Sequence, residues 1–116
     1  KLFKKMLMRK HLINKYSCSI GIPTKIGKNL KIPHNFSIVI GGGVVIGNNC
    51  TIFQNVTLGQ NRNKYPTIGN NVIIYSGAKI IGHVNVGDNA IIGANAIVGG
   101  VPAKIIGWRT DSDDFY

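Results

Sequence analysis

Acidic residues are nearly missing from this chain. Its 116 residues contain no glutamate, and three of its four aspartates, Asp111, Asp113 and Asp114, fall in the last six positions, leaving Asp88 alone in the body. Chemistry that rests on paired carboxylates, such as glycoside hydrolysis or aspartyl proteolysis, is therefore effectively excluded, and so is a carboxylate-held magnesium site. Cysteine is scarce too. Cys18 and Cys50 could form at most one disulfide, too few for a stapled secreted scaffold and without metal-ligand spacing, so a reducing cytoplasm is the expected compartment. Although 44% of the residues are hydrophobic, no run of about 18 apolar residues occurs, which argues against a membrane-spanning helix. Aromatic residues are few and not arranged as a base-stacking platform, so no nucleic-acid partner is expected. The chain begins at Lys1 without a signal-peptide pattern, as expected of an excerpt from a longer protein.

What is abundant is positive charge. Lysine and arginine number 14, for a formal net charge of +10, which favours anionic partners such as phosphates, acidic glycans or membrane headgroups and says nothing about fold. Residues 1–17 read as a basic N-terminal cap segment, with partial helical periodicity in 1–13. Capping one end of a repeat structure is the leading reading, with peripheral contact at the inner membrane face as the other. Residues 110–116 read as an acidic tail, and 18–109 as one domain.

That domain is repetitive. Large aliphatic residues recur every sixth position at Ile20, Ile26, Ile32 and Ile38, then at Ile40, Ile46, Ile52 and Leu58, then at Ile68, Ile74, Ile80, Val86, Ile92 and Val98. A second, often smaller apolar residue follows four places later, as at Cys50, Val56, Val72, Ala78, Val84, Ala90 and Ala96. Helices need apolar spacings of three and four, and hairpin strands alternate without fixed glycines. Short β-stretches joined by turns fit better, with glycine and asparagine (Asn48, Asn49, Asn70, Asn71, Asn89, Asn95) at corners that tolerate positive φ. Cys50 takes an inward position and reads as packing.

This pattern resembles the hexapeptide-repeat acyltransferases. The resemblance covers roughly residues 18–109 and implies an all-β left-handed parallel β-helix, a homotrimer, and acetyl-CoA as co-substrate without a metal. Three breaks interrupt the rhythm. The stretch Ile38-Val39-Ile40-Gly41-Gly42-Gly43-Val44-Val45, directly after His34, is two residues longer than a repeat unit. A polar excursion, Gly59-Gln60-Asn61-Arg62-Asn63-Lys64-Tyr65-Pro66-Thr67, separates Leu58 from Ile68. The third break follows Val98, where the rhythm passes abruptly into Gly100-Val101-Pro102-Ala103-Lys104, similar to the family's closing motif; a further segment usually separates the two pieces. The first two features, with Ile46-Gly47-Asn48-Asn49-Cys50-Thr51-Ile52 and Asn55-Val56-Thr57-Leu58-Gly59, are most similar to the serine-acetyltransferase branch.

Acetyl transfer to an alcohol needs a base for the hydroxyl proton, and with carboxylates nearly absent histidine is the remaining candidate. His11 lies in the basic N-terminal segment and His83 reads as an outer-surface residue. His34 stands at the position that matches the family's general base. Tyr65, through its hydroxyl, and Asn35 are candidates for positioning acceptor or leaving group, with a Tyr65 ring packed on the loop as the other reading, and the resemblance puts Gly59, Gly77, Ala78, Gly93 and Ala94 along the coenzyme A groove. Lys104 and Arg109 are the implied phosphate partners. The chain departs from the serine enzymes at two polar positions: Pro33 stands where an aspartate commonly precedes the histidine, and Tyr65 where a second histidine precedes the proline. These departures lead to the expectation of a sugar hydroxyl on a surface or exported polysaccharide, or its precursor, as acceptor. Serine O-acetylation for cysteine biosynthesis is the alternative.

Other readings are weaker. The stretch 21–28 fails as a P-loop, because five residues separate Gly21 from Gly27 and Asn29 replaces the magnesium-binding hydroxyl. A metal-dependent β-helix of the carbonic-anhydrase type needs several convergent histidines, and no closely spaced pair exists. A non-catalytic structural or glycan-binding solenoid has no reason to carry loops around His34.

Overall fold

A computed structural model describes residues 18–21, 24–100 and 103–108. The expected cap, the acidic tail and Arg109 lie outside the described residues. The architecture is a left-handed parallel β-helix of about four coils, with no helix among the described residues. The first face is a sheet of β1 (Ser19–Ile20), β3 (Val39–Ile40), β6 (Thr57–Gly59), β9 (Lys79–Ile81) and β12 (Ala96–Gly99), closed by β13 (Lys104–Trp108). The second contains β2 (Lys25–Ile26), β4 (Val45–Ile46), β7 (Thr67–Ile68) and β10 (Asn85–Val86). The third contains β5 (Thr51–Ile52), β8 (Ile73–Ile74) and β11 (Ile91–Ile92), extended by a parallel bridge from Lys31 to Thr51.

Strand pairing is parallel and in register from coil to coil, so the sixfold repeat becomes three stacked aliphatic columns. Ile40, Leu58 and Ile80 align on the first face, Ile46 and Ile68 on the second, and Ile52 and Ile74 on the third. All of these are buried. The second apolar residue of each unit fills a corner, and Ile38, Val44, Cys50, Val56, Val72, Ala78 and Val84 are likewise within the core. Cys18 and Cys50 are free buried thiols, and the Cys50 Sγ donates to the Gly69 carbonyl at 3.1 Å.

The corner between the second and third faces shows why asparagine recurs. Asn29, Asn49, Asn71 and Asn89 all hold φ between 57 and 64°, a region that costs most residues about 1–2 kcal/mol and that asparagine tolerates. One residue earlier, Asn48 Oδ1 accepts from Lys28 N, Asn70 Oδ1 from Asn48 N, and Asp88 Oδ1 from Asn70 N, at 2.7–2.8 Å. The lone aspartate of the body is thus the last member of a polar ladder.

The structure corrects one boundary. Ile38 is a corner residue, because Val39 N donates to Val56 O just as Ser19 N donates to Ile38 O. The unit that follows is regular: six positions separate Ile40 from Ile46. The two surplus residues lie earlier, between Ile32 and Ile38. Beyond Val98 the chain reverses, and β13 pairs antiparallel with β12, with a register shift between Ile97 and Val98.

Candidate active site

The corner joining the third face to the first carries the candidate base. In later coils it has four residues, as in Phe53-Gln54-Asn55-Val56, 75–78 and 93–96, and backbone bonds fix their alignment. Asn55 N donates to Phe36 O at 3.1 Å, Gly77 N to Gln54 O at 3.1 Å and Asn95 N to Ser76 O at 3.0 Å. Phe36, Gln54, Ser76 and Ala94 therefore occupy equivalent positions. Ser37, Asn55, Gly77 and Asn95 share the positive-φ position that follows. In the first coil the corner has six residues, 33–38, and the two surplus ones fall within 33–35, around His34. A helical solenoid cannot absorb extra residues within its ladders, so it extrudes them at a corner, and the imidazole stands exposed on the prism edge. The His34 carbonyl accepts from Phe36 N at 2.9 Å, and the half-buried Asn35 offers its backbone carbonyl to the Cys18 thiol at 3.1 Å. The first bond tightens the extruded turn locally and the second ties it to the buried Cys18.

Aromatic rings continue the edge above His34. Its ring lies 6.4 Å from that of Phe53, tilted by 39°, and Phe53 stacks on Tyr75 at 5.1 Å and 15°. Beside them the Gln54 Oε1 is buried without a hydrogen-bond partner. An unmet buried acceptor costs roughly 1–3 kcal/mol.

The polar excursion lies at a different corner, between the first and second faces. Asn61 and Lys64 exchange two backbone hydrogen bonds of 3.0 Å, and Arg62 and Asn63 between them have φ of 52 and 61°. This is a two-residue hairpin of the type I′ kind. Tyr65 is half-buried, and its ring lies so close over Gly41 and Gly43 that a Cβ at either would collide with it. Pro66 is buried, and its carbonyl accepts from Val45 N at 3.3 Å.

Of the residues singled out from the sequence, His34, Gly77, Gly93 and Ala94 share one prism edge. Ala78 lies on that edge as well, but its methyl is fully buried, so its side chain lines no groove. Gly59 ends β6 beside Ile81, Tyr65 belongs to the hairpin corner, and the exposed Lys104 pairs with Gly99 at the start of β13. These three are not gathered around His34 within one chain. His83 is exposed after the positive-φ Gly82. Phe53, Gln54 and Tyr75 were not anticipated. Phe53 and Tyr75 stand 22 positions apart, a spacing that means adjacency only once the coil length is known.

Known proteins resemble this chain in sequence and in fold. The sequence model of the bacterial transferase hexapeptide family (six repeats) matches residues 65–100. The serine acetyltransferase of Mycobacterium tuberculosis is 39% identical over 59 residues, covering 42% of this chain and 26% of that protein. The Escherichia coli K12 serine acetyltransferase is 41% identical over 61 residues, or 44% of this chain and 22% of that protein. Among solved structures, serine acetyltransferase from Vibrio cholerae superposes with a TM-score of 0.73 at 30% identity, covering 93% of this chain and 47% of that one. Serine acetyltransferase from Brucella abortus in complex with coenzyme A gives 0.54 at 28% identity over 84% of this chain and 44% of that one. The chain spans about a quarter of the length of these curated relatives and about half of these solved chains. In fold and repeat the chain is similar to hexapeptide-repeat β-helices of the bacterial transferase type, and among them to serine acetyltransferases.

Proposed function

We propose that this chain is the β-helical part of an acetyl-CoA-dependent O-acetyltransferase whose acceptor is the hydroxyl of serine. The observation that carries the reading is the extruded His34, an imidazole placed on one edge of a prism that superposes over 93% of the chain on a serine acetyltransferase. His34 takes the proton of the acceptor hydroxyl as its oxygen attacks the thioester carbonyl. A C–O bond forms, the C–S bond breaks, and the departing thiolate recovers a proton from the imidazolium, leaving an acetyl ester and coenzyme A. The departures at Pro33 and Tyr65 point to a sugar hydroxyl, and the relatives instead favour serine. The packing of Tyr65 on Gly41 and Gly43 weakens the case that this residue was exchanged to suit a glycan. The sugar reading retains one support, Pro33 in place of an acid beside the histidine.

The acyl donor runs along the edge of Gly77, Gly93 and Ala94, with Lys104 and Arg109 as candidate partners for its phosphates. Because the hairpin of Tyr65 stands at another corner, the complete site needs a second copy, and a homotrimer supplies it. Among the described residues no helix is long and apolar enough to cross a membrane. Peripheral contact through 1–13 falls outside the described residues. Thiol release from acetyl-CoA, measured with L-serine and with oligosaccharide acceptors in parallel, tests the reading. Serine-dependent release with formation of O-acetylserine is expected. Transfer to oligosaccharide alone would overturn the serine assignment, and no transfer to any hydroxyl would overturn the enzyme assignment.

A further inference from the structure

The ring ladder on the edge above His34 has no role in the fold that its exposure explains. Tyr75 is 40% exposed, yet it sits at a corner position that the next coil fills with Gly93. One face of its ring rests on Phe53 at 5.1 Å. The coil spacing of a parallel β-helix is about 4.8 Å, so the opposite face looks into the place that a side chain of the following coil would take, and Gly93 has none. The half-buried Ser76 and Gly77 flank it. The unmet Gln54 Oε1 lies one coil lower, in the position equivalent to Ser76. The edge therefore presents, in order from the first coil, an imidazole, two stacked rings, an unfilled side-chain position and small residues.

We infer that Tyr75, supported by Phe53, is a contact surface for the pantetheine arm of acetyl-CoA and sets affinity for the acyl donor. This rests on the reading of the chain as an acetyl-CoA-dependent transferase. If the thioester is at His34, the rest of the donor must leave along the edge toward Gly93 and Ala94, and it passes over Tyr75. The arm is an alkyl chain interrupted by amides. Its methylene and methyl groups suit an aromatic face, and its amides suit the phenol hydroxyl. Phe53 keeps the Tyr75 ring fixed before the ligand arrives, which lowers the ordering cost of binding. The acceptor, by the same geometry, approaches His34 from the other side and does not meet Tyr75.

Titration calorimetry of the full chain and two variants tests this, with coenzyme A and adenosine 3′,5′-bisphosphate as separate probes. Tyr75→Gly, a residue that the equivalent position of the next coil already accommodates, should weaken coenzyme A binding roughly tenfold and leave the bisphosphate unaffected. Tyr75→Phe should retain most of the affinity. In turnover, Tyr75→Gly should raise KM for acetyl-CoA and leave KM for the acceptor unchanged. A rise confined to the acceptor KM, or equal coenzyme A affinity in Tyr75→Gly and the parent chain, would overturn the inference while the transferase reading stands. Failure of the parent chain to bind coenzyme A would overturn both.

Discussion

Two glycine-to-alanine substitutions at equivalent positions should have opposite effects, and the coil stacking says by how much. Gly47 and Gly87 each follow directly on a strand of the second face. A Cβ built on Gly47 falls 2.5 Å from Asn70 Oδ1, 2.6 Å from the Gly69 carbonyl oxygen and 2.7 Å from its carbon. Ordinary contact begins near 3.4 Å, so the coil above would have to rise by most of an ångström. It is not free to do so, because Gly47 N is bonded to Ile68 O and Asn48 N to Asn70 Oδ1, both at 2.8 Å. Overpacking of this kind costs about 1–3 kcal/mol, and stretching two hydrogen bonds adds about 0.5–1.5 kcal/mol each if they are lost. Gly47→Ala should therefore destabilise by about 3 kcal/mol, lowering Tm by about 10 °C for a chain of this size. On Gly87 the same Cβ meets nothing within 4 Å. Gly87→Ala should be neutral or stabilising by up to about 1 kcal/mol, through the reduced entropy of the unfolded chain. Thermal and urea unfolding followed by circular dichroism measures both. Equal losses in the two variants would refute the claim that the next coil, and not the glycine's own backbone, fixes the identity of this residue.

Three other substitutions probe separate parts of the molecule. His34→Ala should lower acetyl transfer by about 10² to 10⁴-fold with an unchanged unfolding midpoint, since the side chain is exposed; near-parental turnover in a folded variant would remove it as the base. Asn71→Ala, at φ 57°, should lower stability by about 1–2 kcal/mol, whereas Asn71→Gly should stay within about 0.5 kcal/mol; equal losses by urea titration would mean that the side chain and not the backbone is what matters. Gln54→Met removes an unmet buried acceptor at similar volume and should raise stability by about 1 kcal/mol; a drop in Tm would show that the amide oxygen is in fact bonded in solution.

The fold was legible because its rule is local and repeated. Each unit carries its own inward aliphatic, its corner apolar residue and its turn asparagine, so every six residues restate the same geometry. Sequence pattern and structure part where residues are surplus. Ile38 satisfies the sixfold spacing from Ile32 as well as the corner spacing, and periodicity cannot choose between them. Backbone pairing can: Ile38 aligns with Val56, and the two extra residues fall within 33–35, around His34. That shift matters for function, because it turns the histidine from a residue preceding an irregular unit into the irregularity itself.

The candidate site was harder to read because it lies across coils. The family resemblance puts Ala78 along the groove while the repeat puts it at an inward corner position, and the prism follows the repeat, burying its methyl. Phe53 and Tyr75 escaped notice for the complementary reason. A regular coil of three units would place stacked residues 18 apart, but the hairpin at 61–64 lengthens the intervening coil, so the spacing that brings the two rings together is 22. An insertion at one corner thus changes the sequence spacing, and not the identity, of the residues that meet at another. The register along the edge from His34 to Gly93 depends on the whole coil closing correctly, and a deletion within the hairpin that preserved the three faces would leave this edge, and its donor contacts, in place. A deletion that removed Tyr65 would act differently, since it would uncover Gly41 and Gly43 directly beneath the strand that follows.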